Sequence, residues 1–262
     1  MKNNWFWQII IDGLIICGFI LLSFPFLKEN VIGIQLGQSQ LVIAEQLPNE
    51  FVAEEPIQIP TIEEVLTADS AQVTAYGFVS IEVLQFQQPL LIGLTNQQLR
   101  RGGVVMFPER SLTQDNFVIL GHHLGRESLL FGLLKQAKVG MEVRVTYLEQ
   151  THTYTIDAIK EVAETDLEVI GNQQPHLTLI TCPTPTRTDQ RLVITAKPIS
   201  MAVKEDAQTE TTKKETQKIR HQQKQLWQQQ ARDSWGILLL LFLMMWGCLW
   251  GTHRLMTRKT SD

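Results

Sequence analysis

The sequence predicts a mostly β protein, a closed or nearly closed barrel set between two membrane helices, and three observations predict it. Apolar spans long enough to cross a bilayer stand near both ends of the chain, short apolar runs separated by turn residues fill the middle, and a single internal stretch has helical texture. The formal charge of −4 over 262 residues is too small to point to nucleic acid or to any strongly charged partner.

Residues 6–27 are apolar apart from Gln8, Asp12 and Ser23, long enough for a hydrocarbon core of about 30 Å. A cleaved signal peptide would need a small-x-small site, and 23–28 offers none, so an uncleaved anchor is expected. Asp12 lies near the start of the span, where a carboxylate reaches the interface. The second span is 234–252, with Trp235, Trp246 and Trp250 where interfacial aromatics belong. His253, Arg254, Arg258 and Lys259 follow it. The positive-inside rule keeps those cations in the cytoplasm, and two spans then put 1–5 on the same side. A cell-membrane protein results, with 1–5 and 253–262 cytoplasmic and the rest between the spans outside.

Residues 28–73 read as a spacer carrying one short helix at 61–68, behind the Thr61/Glu64 capping-box pattern. From 74 to 200 the texture becomes strand-like. The runs are 75–81, 103–106, 117–120, 142–147, 151–161, 177–182 and 192–197, with a helix expected at 127–136. Closure into a barrel removes the edges that so many short strands would otherwise expose. Neither an internal repeat nor a Gly-rich phosphate loop is present. Residues 201–233 are dominated by Gln, Lys, Glu and Thr, with Trp227 the one aromatic, and read as a polar, partly helical, solvated linker without chemistry.

Cys182 is the one thiol outside the spans; Cys17 and Cys248 lie within them. A lone external cysteine forms no structural disulfide and is either incidental or a nucleophile. Pro183 and Pro185 stop the strand behind it, and the next strand begins at Arg191. If the two strands pair, Cys182 and Arg191 face each other, about 5 Å apart. A cysteine of ordinary pKa also needs a base or a positive neighbour. Of the six histidines, His221 lies in the linker and His253 in the tail, while His152 and His176 sit at strand starts. His122 and His123 follow the run 117–120 at a strand end, where a barrel presents working residues. Each feature alone is common background. A zinc site of Cys182, His122 and His123 is an alternative, but it lacks a second cysteine or an acidic pair.

The run Leu177-Thr178-Leu179-Ile180-Thr181-Cys182 with Arg191-Leu192-Val193-Ile194 resembles the Cys and Arg motif of sortases, cysteine transpeptidases of Gram-positive cell surfaces. Asn116-Phe117-Val118-Ile119-Leu120-Gly121-His122-His123 is similar to their histidine motif, and Gly93-Leu94-Thr95-Asn96 and Lys138-Val139-Gly140-Met141-Glu142-Val143 fit the class A branch. The resemblance covers 74–198. It implies an eight-stranded barrel whose groove takes an LPXTG-type sorting signal, with Cys182 as nucleophile, His122 as acid and base, and Arg191 holding substrate and oxyanion. His123 and Thr184 become groove candidates. The implied partners are LPXTG-bearing surface proteins and either a lipid-linked peptidoglycan precursor or a pilin amine; no cofactor is implied.

The chain also departs from the family's pattern. A C-terminal span is usual in the pilin-polymerising class C, yet the class C lid, an Asp-Pro-aromatic motif, has no match between Lys28 and Thr74. A class A-like domain tethered at both ends is therefore expected. Pilin polymerisation is the second reading and a non-catalytic peptide-binding module the third. Two anchors would confine the groove near membrane-held substrates and raise its effective concentration. A calcium site such as some class A members possess would need clustered carboxylates; Glu109, Asp115, Glu164 and Asp166 are scattered in sequence, and no metal is expected.

Overall fold

The structure is a computed structural model that describes residues 2–50, 55–58, 60–67, 72–148, 150–186, 188–199 and 208–259. Arg187 and the first part of the expected linker, 201–207, lie outside the described residues. The chain opens with helix α1 (Lys2–Gln38), strand β1 (Gln40–Ile43), the short helix α2 (Ile62–Thr67) and strand β2 (Gln72–Ala75). The barrel is then built from β3 (Gly77–Ile81), β4 (Phe86–Ile92), β5 (Gly103–Val105), β6 (Asn116–Leu120), β7 (Glu142–Tyr147), β8 (Gln150–Ala163), β9 (His176–Thr181) and β10 (Gln190–Pro198). A one-turn helix α3 (Asn96–Leu99) joins β4 to β5, and helix α4 (Gln208–Lys259) ends the described chain.

The eight barrel strands close in the order β10-β8-β7-β3-β4-β5-β6-β9, as expected of a mostly β protein with short helices flanked by long apolar ones. Closure follows from the two-residue period. Val143 and Val145 on β7, Phe117 and Ile119 on β6, and Leu177 and Leu179 on β9 all point into one core with Phe86, Tyr154 and Ile194. Burying each such side chain contributes about 1.5–3 kcal/mol. Tyr154 donates its hydroxyl to the Leu112 carbonyl at 2.6 Å and Tyr147 to that of Pro108 at 2.9 Å, which ties the β5–β6 connection to the barrel.

The outward faces are covered on two sides. Val118, Ile180 and Val193 pack beneath Val169 and Ile170 of the β8–β9 connection. That connection is tied down by Asn116, whose Nδ2 donates to the carbonyls of Val169 and Gly171 and whose Oδ1 accepts from Thr178. Arg110 adds donations to the carbonyls of Asn116 and Ile170. On the other side Phe78, Leu91 and Val104 pack against Ile32 and Leu36 of α1 and Ile219 and Trp227 of α4.

Several expectations are corrected. The described part of the 28–73 spacer carries more than one short helix, because α1 continues to Gln38 and β1 pairs in parallel with β2. Its expected capping box is present, Thr61 Oγ accepting from the Glu64 amide and Glu64 from that of Thr61, on the helix Ile62–Thr67. The expected run 75–81 breaks at Tyr76 between two sheets, and β4 was not anticipated, since Gln87, Gln88 and Pro89 interrupt its alternation. The ladder from β4 to β5 starts at Leu90↔Gly103, just past the proline that cannot donate to it. The expected helix 127–136 is only a 3-10 turn at Gly132–Gln136, since Leu130 takes a positive φ of 49° and bridges to His123 instead.

The largest correction concerns 208–233, the described part of the expected linker. It is helical, as partly expected, but it is not merely solvated: Ile219, Gln223 and Trp227 are buried, the last two at 1% and 2% exposure. Gln87 of β4 donates to the Ile219 carbonyl at 3.0 Å. Both α1 and α4 contain stretches long and apolar enough to cross a membrane by length and composition, and in α1 this is Phe6–Phe24. The two helices pack side by side. Gln8 bonds His253 at 2.7 Å, and Thr252 donates to Asp12 at 3.3 Å, which gives the carboxylate in the apolar stretch of α1 a partner.

Candidate active site

Three neighbouring strands bring the candidates together. β9 lies between β6, its parallel neighbour, and β10, its antiparallel one. The ladder to β10 ends at Leu192↔Thr181, so the next residues out are Arg191 and Cys182. On the other side the ladder ends at Leu120↔Ile180 and is prolonged by the Gly121 amide donating to the Ile180 carbonyl at 3.0 Å. The register thus carries His122 out beside Cys182 on one flank and Arg191 on the other. Gly121 is required at the turn-off, because a Cβ there would overlap the Phe131 ring.

Each group has a distinct environment. His122 is 7% exposed and its Nε2 has no hydrogen-bond partner among the described residues. Burial pushes its pKa down to about 4, helped by the charges of Arg100, Lys28 and Arg191. Burial likewise pushes the half-buried Cys182 thiol up, against the lowering field of Arg191 and with a raising contribution from Glu164. Both directions favour neutral thiol and neutral imidazole near pH 7. An orphaned, buried ring nitrogen costs about 1–3 kcal/mol, which is the sort of local expense tolerated where the group has work to do.

Arg191 is not loose. Its Nη2 pairs with the Glu164 carboxylate at 2.5 Å, and its Nη1 donates to the carbonyls of Thr188 and Gln190 at 2.8 and 2.9 Å. Glu164 stands just past β8, where Arg191 faces Val162, and its amide donates to the Asp189 carbonyl. In the sequence Glu164 is one of several scattered carboxylates, and nothing in its own neighbourhood flags it: the partnership exists because β8 flanks β10.

His123 is buried rather than facing an open groove, with Nδ1 bonded to the Cys182 carbonyl at 2.9 Å and its ring pKa lowered by burial. It braces the backbone that presents the thiol. Thr184 is exposed, its hydroxyl bonding the Thr186 carbonyl at 3.4 Å. Among the described residues no three His, Cys, Asp or Glu side chains converge as metal ligands. Two of the carboxylates weighed for calcium have other partners: Asp115 accepts from the Ser111 amide and from Asn172, and Glu164 from Arg191. A cleft of about 900 Å³ lies between α4 and the barrel flank at Gln87 and Arg144, and neither Cys182, His122 nor Arg191 lines it.

The closed barrel thus presents a thiol at a strand end, with a histidine and an arginine set on its two flanks by register. The chain belongs to the sortase family: the sortase domain profile matches residues 79–199, from within β3 through the end of β10. Sortases are cysteine transpeptidases. Over 193 residues the chain is 27% identical to sortase A of Listeria monocytogenes, covering 69% of this chain and 86% of that one. To sortase A of Streptococcus agalactiae it is 31% identical over 140 residues, 50% of this chain and 57% of that one. The crystal structure of Listeria monocytogenes sortase A superposes with a TM-score of 0.47 at 29% identity, over 48% of this chain and 88% of that one.

Proposed function

We propose that this chain is a membrane-anchored sortase that cleaves an LPXTG-type signal between Thr and Gly and passes the acyl group to an amine. The observation that carries this is the register: β6 and β10 flank β9 so that His122 and Arg191 both emerge beside Cys182. Because the resting pair is neutral, His122 takes the thiol proton as sulfur attacks the threonyl carbonyl carbon. The thioester bond forms, the Thr–Gly C–N bond breaks, and the imidazolium returns its proton to the departing glycine amine. The acceptor amine then attacks the thioester, gives a proton to His122, and its collapse returns the proton to sulfur as free thiol. Arg191, held by Glu164, supplies a charge-assisted donor where the oxyanion develops.

The catalytic domain is read as extracytoplasmic with both termini cytoplasmic, supported by the side-by-side packing of the two apolar helices. The acceptor is read as a lipid-linked peptidoglycan precursor, within reach of a site held near the bilayer. The apolar stretch of α4 favours a pilin amine as the second reading. Incubating the full chain in detergent micelles with LPXTG-like peptides and hydroxylamine tests the core claim. Wild type forms hydroxamate and Cys182→Ala forms none; product from the mutant would remove Cys182 from its role.

A further inference from the structure

The loop that follows the two histidines is held from outside the barrel. Leu124, Leu129 and Leu130 are each at most 2% exposed and share one apolar cluster with Ile32 and Leu36 of α1 and Ile219 and Trp227 of α4. The polar backbone of the same loop is secured by both helices. Glu29 of α1 accepts the Gly125 amide, and a Cβ at 125 would run into that carboxylate. Gln230 of α4 donates to the Ser128 carbonyl at 2.7 Å. Arg126 donates to Ser234 Oγ at 2.8 Å and pairs with Asp233 at 3.4 Å, while its Nε donates to Ser128 Oγ at 3.1 Å.

The helices are themselves closely seated where they grip. A Cβ on Gly33 would come within 2.6 Å of Ser234 Oγ, and one on Gly37 would collide with the Ala231 methyl. Lys28 and Glu29 on α1, and Asp233 and Ser234 on α4, are the polar positions next to the exposed apolar Leu22 and Phe24 and the exposed Trp235 and Leu239. The loop therefore meets both helices at the level where a bilayer's apolar core ends.

We infer that the α1–α4 pair is a positioning element of the active site: the turns of both helices that emerge from the membrane clamp residues 124–130, and this clamp holds His122 in place beside Cys182. On this basis α4 is a wall of the histidine loop rather than a tether. Without it, Leu124, Leu129 and Leu130 lose part of their cover, Arg126 loses Asp233 and Ser234, and the Ser128 carbonyl loses Gln230, while the β9–β10 hairpin that carries Cys182 keeps its ladders. The inference rests on the transpeptidase reading for the role of His122, but the clamp itself can be measured without turnover.

The full chain in lipid nanodiscs, with Arg126→Ala and Gln230→Ala, supplies the test. Small displacements of a reacting group cost up to about a hundredfold in rate, and each variant removes only part of the clamp. In Arg126→Ala, kcat for peptide cleavage is expected to fall about tenfold with KM changed less than about twofold. Amide exchange across 123–131 is expected to rise about tenfold, while alkylation of Cys182 by a small thiol reagent stays within about twofold of wild type. Gln230→Ala gives the same pattern at smaller size, and Arg126→Lys, which keeps the charge opposite Asp233, recovers part of it. Unchanged exchange overturns the inference whether or not kcat falls. A wild-type chain that never cleaves peptide would defeat the transpeptidase reading instead, and the exchange measurement would still decide the clamp.

Discussion

The two flanks of the nucleophile are built in different ways. On one, Cys182 and Arg191 belong to a single hairpin whose ladder runs from Ala196↔Leu177 to Leu192↔Thr181 and is flanked by β8. On the other, His122 stands where β6 gives way to a loop, its carbonyl accepting the Phe131 amide and its neighbour His123 bridged to Leu130, with Glu29, Gln230 and Asp233 arriving from helices far away in sequence. A ladder fixes position through repeated backbone hydrogen bonds that survive most side-chain changes. A packed loop depends on particular side chains, so the histidine flank is the one that distant substitutions disturb.

The largest expected effect breaks the remote support. Trp227 of α4 is 2% exposed in the cluster that α4 shares with α1 and the barrel flank, and Trp227→Ala should destabilise the fold by about 3–5 kcal/mol, read from denaturation midpoints in micelles. A loss under about 1 kcal/mol would show that α4 carries little of the fold's stability. Next, Arg191→Ala tests the ladder flank, where losing an oxyanion donor lowers kcat by about 10²–10³-fold; a loss below tenfold would place the guanidinium away from the developing charge.

Acidification separates the flanks by charge. His122 sits at about 4 in the fold against an ordinary value of 6.5, so between those pH values the unfolded chain takes up a proton that the folded chain does not. Stability from this group is therefore full above about pH 6.5 and lost progressively as pH falls towards 4. Replacing His122 with Gln should flatten that part of the stability curve and Cys182→Ser should not; equal slopes in all three proteins would contradict the buried neutral imidazole. The smallest effect sharpens the thiol's own environment. Glu164 raises the Cys182 pKa, so Glu164→Gln should speed alkylation of Cys182 a few-fold at a fixed pH near 8, and a slower rate would reverse the assigned sign.

Much of the Cys182 flank was legible in the sequence because it is local. Two prolines stop a strand, an arginine opens the next, and the pairing of adjacent strands needs no more than that. His122 was legible through its position after a strand-end glycine, although the reason for that glycine, the Phe131 ring beneath it, was not. Strand β4 was hidden because Gln87 serves α4 and a proline interrupts the strand, so its period answers to a neighbour far along the chain. The helix expected at 127–136 failed for the same kind of reason. Its leucines do recur at helical spacing, but Leu129 and Leu130 pack under the two helices, Leu130 also taking a β-bridge, while Leu134 enters the barrel core.

By itself the sequence determined the closed β class, the strand ends that carry Cys182 and Arg191, and the apolar stretches near both ends, because each depends on period or composition over a few neighbouring residues. Only the tertiary structure decided that 208–234 packs rather than floats, that Glu164 holds Arg191, and that Glu29, Gln230 and Asp233 meet the histidine loop. Those are contacts between segments 27 to 102 or more residues apart, formed by complementary shape and hydrogen bonding that no local pattern encodes.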